Sequence, residues 1–217
     1  MAVTLPNGTK TSIASTYATA VAIESISNTS PPIVTATAHG IADGAVVEIN
    51  SGWSGIDGRL ARVANGDANT FELEGLDTSD TDKYEAGAGI GSVRVITAWT
   101  EITQVTNQQA AGGEPQFFNY KFQEDPTNTE RQIKTGKSAK SITLTLADDQ
   151  SKAWFAVLKT ADQDGLNRGL RQTLPSGALI YSNVNVAFDE VPNLTSNEAI
   201  TNTCVLSLQS TVTRYAS

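Results

Sequence analysis

Apolar and polar residues alternate with a period of two through most of this chain, and one stretch alone carries a helical spacing. IVTATA (33–38), AVVEIN (45–50), RLARVA (59–64), TFELEGL (70–76) and SVRVI (92–96) each read as a half-buried strand. Between them lie AHGIADG (38–44), the Gly-rich SGWSGIDG (51–58), NGDAN (65–69) and the acidic DTSDTDKYEAGAG (77–89), all built from turn residues. Short strands at this spacing predict a small all-β barrel or sandwich over 27–96. Upstream, 1–20 is polar and reads as an arm, and VAIESIS (21–27) reads as a first strand.

Downstream, TAWTEITQVTNQQ (97–109) predicts a strand that turns polar, and AAGGEP (110–115) a loop. QFFNYKFQ (116–123) sets Phe118, Tyr120 and Phe122 on alternate positions, and EDPTNTERQIKTGK (124–137) reads as a long hairpin or exposed loop. KSITLTLA (140–147) puts Ile142, Leu144 and Leu146 on one face. The helix is predicted at about 149–162, capped by Asp148 or Asp149 and ended by Gly165. Trp154, Val157, Leu158 and Ala161 fall at i, i+3, i+4 and i+7 and form its apolar stripe. A Pro-Ser-Gly turn at 175–177, the strand ALIYSNVNVAFDEV (178–191), a turn at Pro192-Asn193 and a last strand at 199–215 complete the pattern. The expectation is a mainly β protein: 1–26 as arm and first strand, 27–96 as an inserted small all-β domain, and 97–217 as the rest of a β-sandwich or barrel with one flanking helix.

Composition supports that class. Apolar residues make up 39% and charged residues 18% of 217 positions, which excludes a disordered tail or a coiled coil. The formal charge of −8 argues against a protein that grips nucleic-acid phosphates. That charge is uneven, with ten acids and four bases between 27 and 96. Cys204 is the one cysteine, so no intrachain disulfide and no thiolate zinc cage can form. MAVTLPNGTKTS lacks the features of a secretory signal, and no apolar run reaches the ~18 residues of a membrane span. A soluble protein made in a reducing compartment is expected, with Asn7, Asn28 and Asn193 unused as glycosylation sites.

Candidate chemistry is sparse. His39 is the one histidine, in Ala38-His39-Gly40 between a strand and a turn, where a packing role is expected. Cys204 lies mid-strand with no neighbour to lower its pKa and reads as a small buried hydrophobe. Gly87-Ala88-Gly89-Ile90-Gly91 lacks both the spacing and the Lys-Ser/Thr of a phosphate loop. Asp77, Asp80 and Asp82, and separately Asp162, Asp164 and Asn167 around Gly165, invite a calcium reading, but the second group lacks the downstream Glu of a calcium loop. Arg131, Lys134, Lys137 and Lys140 are spaced along one polar segment without interleaved aromatics, which favours contact with an acidic neighbouring subunit over phosphate. No catalytic constellation, cofactor site or metal site emerges.

A run of features after about 136 comes in a telling order: Gly136-Lys137-Ser138, the strand ITLTL, the helix with Ala153-Trp154-Phe155, RGLRQTLPSG, a strand ending at FDEV, and Asn197-Glu198-Ala199-Ile200 leading into TNTCVLSLQS. In that order they resemble the lambda-type major tail proteins, the tail tube proteins of long non-contractile-tailed phages. The 27–96 stretch resembles a different unit, a small β-barrel insertion of phage structural proteins that is also similar to a β-barrel insert of ubiquitin-activating enzymes. Ala38-His39-Gly40, Asp43-Gly44, Asp57-Gly58-Arg59 and Ala68-Asn69-Thr70-Phe71-Glu72-Leu73 carry that likeness, which brings no catalytic residue. Lambda-type proteins place their extra domain after the tube fold, whereas here it lies near the start.

The resemblance implies a non-enzymatic virion protein, made in the host cytoplasm and placed in the tail. Hexameric rings would stack into a tube for genome ejection, with tail terminator, tape measure and distal tail proteins as partners. Double-stranded DNA would pass through the lumen without specific binding. Ring stacking is expected to order the polar arm and the loop bearing Glu124, Asp125, Glu130, Arg131, Lys134 and Lys137. The rival readings are a carbohydrate- or receptor-binding module stacking sugars on Trp53, Trp99 or Tyr84, and a glycosidase, for which no pair of acids stands out.

Overall fold

In the computed structural model, which describes residues 5–216, alternating segments form strands and the helical spacing forms a helix. The chain begins with β1 (Lys10–Tyr17), β2 (Val21–Ile23), β3 (Ser25–Ile26), β4 (Ile33–Thr35), β5 (Val46–Ser51), β6 (Leu60–Ala64), β7 (Thr70–Glu74) and the long β8 (Gly91–Ile102). It continues through β9 (Val105–Gly112), β10 (Pro115–Tyr120), β11 (Arg131–Lys137) and β12 (Lys140–Ala147) to the helix α1 (Ala153–Asp164). β13 (Arg168–Thr173), β14 (Leu179–Phe188), β15 (Thr201–Leu208) and β16 (Thr213–Tyr215) follow. The strands pair antiparallel along one path, β3-β4-β7-β6-β5-β8-β1-β13-β14-β15-β12-β9, with β2 added on β8 and β16 on β14. β10 and β11 pair with each other, apart from that path.

β8 belongs to two sheets at once. Its first half, Gly91 to Val95, lies opposite Ser51 to Val47 of β5, and its second half, Ile96 to Ile102, lies opposite Tyr17 to Thr11 of β1. A register shift between Ala14 and Tyr17 bends β1 at this crossing, as an extra residue in one strand does. One apolar cluster lies on each side. The first gathers Ile13, Ile102, Leu144, Leu146, Leu170, Val184, Phe188 and Leu206 around Trp154, Phe155 and Leu158 of α1. Strands β12, β15, β14, β13, β1 and the second half of β8 all feed this cluster. The second gathers Val34, Val47, Ile49, Trp53, Ile56, Phe71 and Leu73.

A third cluster joins them: Ala14, Val46, Leu60, Ile96, Tyr181 and Tyr215. Polar contacts fix the same junction. The Tyr215 hydroxyl donates to the Glu74 carbonyl at 2.7 Å and accepts from the Arg62 amide at 2.8 Å. Arg62 sits 4.5 Å over the Tyr215 ring and grips Glu74 with both Nε and Nη2. Asn183 Nδ2 donates to Glu48 Oε1, and Gly169 N donates to the Tyr17 hydroxyl. A Cβ on Gly169 would stand 2.7 Å from Ile96 Cδ1 and 3.1 Å from Leu60 Cδ1, so a larger residue here would displace both side-chain tips.

Several expectations are corrected. Residues 1–20 are not an arm: β1 is an interior strand with Thr11, Ser12, Ile13 and Ala14 all buried, although 1–4 lie outside the described residues. A strand flanked by β8 and β13 and covered on both faces has no exposed side to mark with alternation, and its Ser and Thr residues disguised it. VAIESIS splits into β2 and β3, and Ile23 and Ile26 pack into the second cluster. The 97–109 strand is two, broken at Gln104, which takes a left-handed backbone with φ of 62°. Likewise the last strand divides into β15 and β16.

The helix begins at Ala153, with Lys152 as an uncapped N-terminal residue. Asp149 instead accepts from the Ser151 amide and hydroxyl, a local turn that competes with capping. Gly165 ends the helix in the left-handed conformation, as expected. Trp154, Leu158 and Ala161 are buried and Val157 is half-buried against the same cluster, while Phe155 joins them from outside the expected stripe. Phe155 is held by edge-on contact with Phe188 at 5.2 Å.

Trp154→Ala is expected to cost about 3–5 kcal/mol, read as a fall in the urea midpoint, because it opens a cavity at the centre of the first cluster. The Trp154 Nε1 is buried without a partner. Trp154→Phe removes that orphaned donor with the ring and is expected to cost less than half as much. Equal losses for the two variants would contradict this packing.

Candidate functional site

Two features stand out at the β9 end of the strand path. The first is the outer edge of β9. Its inner edge pairs with β12, from Val105 opposite Leu146 to Gly112 opposite Lys140, and nothing pairs on the other side among the described residues. From Thr106 to Gly112 every β9 residue is exposed. A row of free amides and carbonyls of this length is a template for another strand.

The second feature is an arm, the β10–β11 hairpin. Phe118 lies opposite Ile133 and Tyr120 opposite Arg131 on one face, with Phe117 opposite Lys134 on the other. Phe117, Phe118 and Ile133 are exposed at 53%, 61% and 53%, so the largest apolar side chains of the arm face solvent. A lone two-stranded hairpin is marginal in water. Its tip is tied locally instead: Tyr120 and Phe122 meet edge to face at 5.4 Å, and Arg131 lies 4.9 Å over the Phe122 ring.

The predicted charged residues are distributed along this arm. Glu124, Asp125 and Glu130 fall in the connection between β10 and β11, and Arg131, Lys134 and Lys137 fall on β11. Asp125 accepts from the Thr127 hydroxyl and amide, bonds that hold its carboxyl below the usual range. Lys137, opposite Pro115, stands at the base of the arm rather than its tip. The sequence reading missed Phe117, Ile133 and the β9 edge. The adjacent Phe117 and Phe118 beside a polar stretch were the available signal; an unpaired edge leaves none, since it is a property of what is absent alongside.

Other candidate residues serve the fold. His39 is buried, with Nδ1 accepting from the Ile41 amide at 3.0 Å, Nε2 3.3 Å from the Thr70 carbonyl, and its ring edge-on to Phe71. Cys204 is fully buried, and burial pushes its thiol up to about 12. Asp77 accepts from the Ser79 amide and hydroxyl, and Asp80 pairs with Lys83 at 2.8 Å. Asp162 accepts from the Phe188 amide, and Asp164 pairs with Arg168. No group of three or more His, Cys, Asp or Glu side chains is placed to hold a metal among the described residues.

The sugar-stacking platforms are not open ones. Trp53 is buried, donates from Nε1 to the Glu85 carbonyl and packs against Tyr84. Trp99 is covered by Arg171 at 4.9 Å and adjoins Tyr181.

The family model described as "Phage tail tube protein, TTP" matches residues 51–217. A chain in the virion of a native gene transfer agent particle aligns with a TM-score of 0.43 and 9% identity, covering 54% of this chain and 89% of that one. A chain in the tail of an empty gene transfer agent particle, refined with C6 symmetry, gives 0.43 and 8%, covering 54% and 87%. A chain from the cap terminating the tube of the anti-feeding prophage gives 0.34 and 16%, covering 50% and 79%. No curated protein matches the sequence. With most of its length under the family model, from the second half of the small β unit to the C-terminus, this chain belongs to the phage tail tube protein family, a structural component of the virion tail.

Proposed function

We propose that copies of this chain close into six-membered rings and that the rings stack into a tube, the conduit through which the genome leaves the particle. The observation that carries the reading is the arm: Phe117, Phe118 and Ile133 sit on a hairpin with no core beneath it. Such a surface is an aggregation hazard on a monomer and a contact on a polymer. The β9 edge supplies a second contact, through which one subunit's sheet extends into the next. Contacts between different patches of identical subunits generate rings when the rotation closes and filaments when it does not.

Charge suits the same role. A net −8 leaves a tube that repels the phosphates of DNA moving past it, so passage needs no specific binding. The ends of the tube would meet the tail terminator and distal tail proteins, and its lumen the tape measure. The role needs no enzymatic group.

The small β unit, from β2 to the first half of β8, is placed in this reading as a satellite on the outer surface. A biotin-acceptor peptide inserted after the exposed Gly87 should leave assembly intact and bind streptavidin along the tube exterior. Assembled tubes that fail to bind streptavidin would put this unit in the wall or lumen.

The arm is tested at its tip, away from Lys137. Phe118→Ser with Lys134→Glu should change the monomer's stability by less than about 1 kcal/mol, since both side chains are solvated. Electron microscopy of the wild type should show tubes of uniform width, and of the double variant rings or monomers. Full-length tubes from the double variant would remove the arm from stacking; monodisperse wild-type monomers at every concentration would contradict the tube itself.

A further inference from the structure

Between the small β unit and the main sheet lies a cavity of about 420 Å³ whose walls come from three places: Ser54 to Arg59, the turn from Lys137 to Lys140, and the loop from Leu208 to Val212. Its charge is opposite to that of the protein. Arg59, Lys137 and Lys140 line it with a single acid, Asp57, in a chain of net −8. None of the three cations makes an ion pair among the described residues.

Arg59 is the unusual member. Its Nη2 donates to Thr213 Oγ1 at 3.2 Å, while Nε is buried without a partner. Burial lowers the guanidinium's pKa, and the groups opposing that shift are the phenols of Tyr84 and Tyr215, not a carboxylate. Asp57 is turned to the Ser51 amide, which donates to its Oδ1, and makes no ion pair with Arg59. Ser210, on the facing loop, has a buried hydroxyl that is likewise unpartnered. A half-buried guanidinium with a buried, unpartnered Nε and no counter-charge is left incomplete in a way that an anion would satisfy. Arginine's planar fork suits an oxyanion better than a lysine would.

We propose that this cavity is an oxyanion site, with Arg59 as the fork and Lys137 and Lys140 as supporting charges, for a group the size of phosphate or a carboxylate. Two sources fit that chemistry. One is free phosphate. The other is an Asp or Glu side chain of a second copy, and that source rests on the tube reading. The site itself does not, because its walls come from one chain.

The test is thermal unfolding of the full-length chain titrated with sodium phosphate, ionic strength held constant with chloride so that screening does not vary. A saturable rise in Tm is expected, about 5 °C or more at roughly a hundred times the Kd. The rise should vanish in R59Q and shrink in K140Q, the second being an exposed position that leaves the fold intact. An equal rise in wild type and both variants, or none in wild type, overturns the site. Sedimentation of assembling protein then assigns the source. If phosphate suppresses assembly in wild type and R59Q assembles poorly without phosphate, the occupant is a neighbour's carboxylate; if neither phosphate nor R59Q changes assembly, the occupant is the free ion.

Discussion

One strand carries the architecture. β8 is hydrogen-bonded to β5 with its first half and to β1 with its second, so two sheets with separate apolar clusters share a backbone. A covalent linker would allow two such units to move, whereas a shared strand fixes their relative twist. The junction cluster around Ala14, Leu60, Ile96 and Tyr181 packs across the boundary, and the tips of Ile96 and Leu60 close over Gly169. Tyr215 closes the arrangement from the far end of the chain, through its hydroxyl and the Arg62 guanidinium over its ring.

That rigidity gives the assembly surfaces their meaning. β9 and the β10–β11 arm leave the frame at the end of the strand path, where no further element covers them among the described residues. In the proposed assembly, an edge and an arm on a stiff body would present a fixed geometry to the next subunit, and fixed geometry is what closes a ring instead of a disordered aggregate. The arm's exposed Phe and Ile residues make its contact more apolar than its charged tip suggests. In the proposed tube, charges such as Glu124, Glu130 and Lys134 would select register among dockings that the apolar side chains alone would tolerate.

The sequence was legible wherever one face of an element met water. KSITLTLA alternates because β12 has Ile142, Leu144 and Leu146 inward, and it emerged with its predicted limits. The α1 stripe was readable for the same reason, although Phe155 was not, because it enters the core beside Phe188 from the margin of the helix. β1 was hidden by burial on both faces, and the Ser and Thr residues that satisfy such a position look like a loop. The assembly surface was half visible. Charge spacing pointed to 124–137, but which side chains face solvent depends on strand pairing that only three dimensions reveal. The cavity around Arg59 was invisible, since its walls lie some 80 and 150 residues apart in the chain.

Amide hydrogen exchange on monomeric and assembled protein tests the central claim, a rigid frame completed before assembly and an edge and arm completed by it. The amides of 91–102 that bond β5 and β1 should be strongly protected in both states. The amides on the outer edge of 105–112, turned away from β12, and those of 115–137 should exchange quickly in the monomer and become protected only in the assembled state. Exchange in 91–102 as fast as in the arm, or an arm and edge unchanged by assembly, would contradict it.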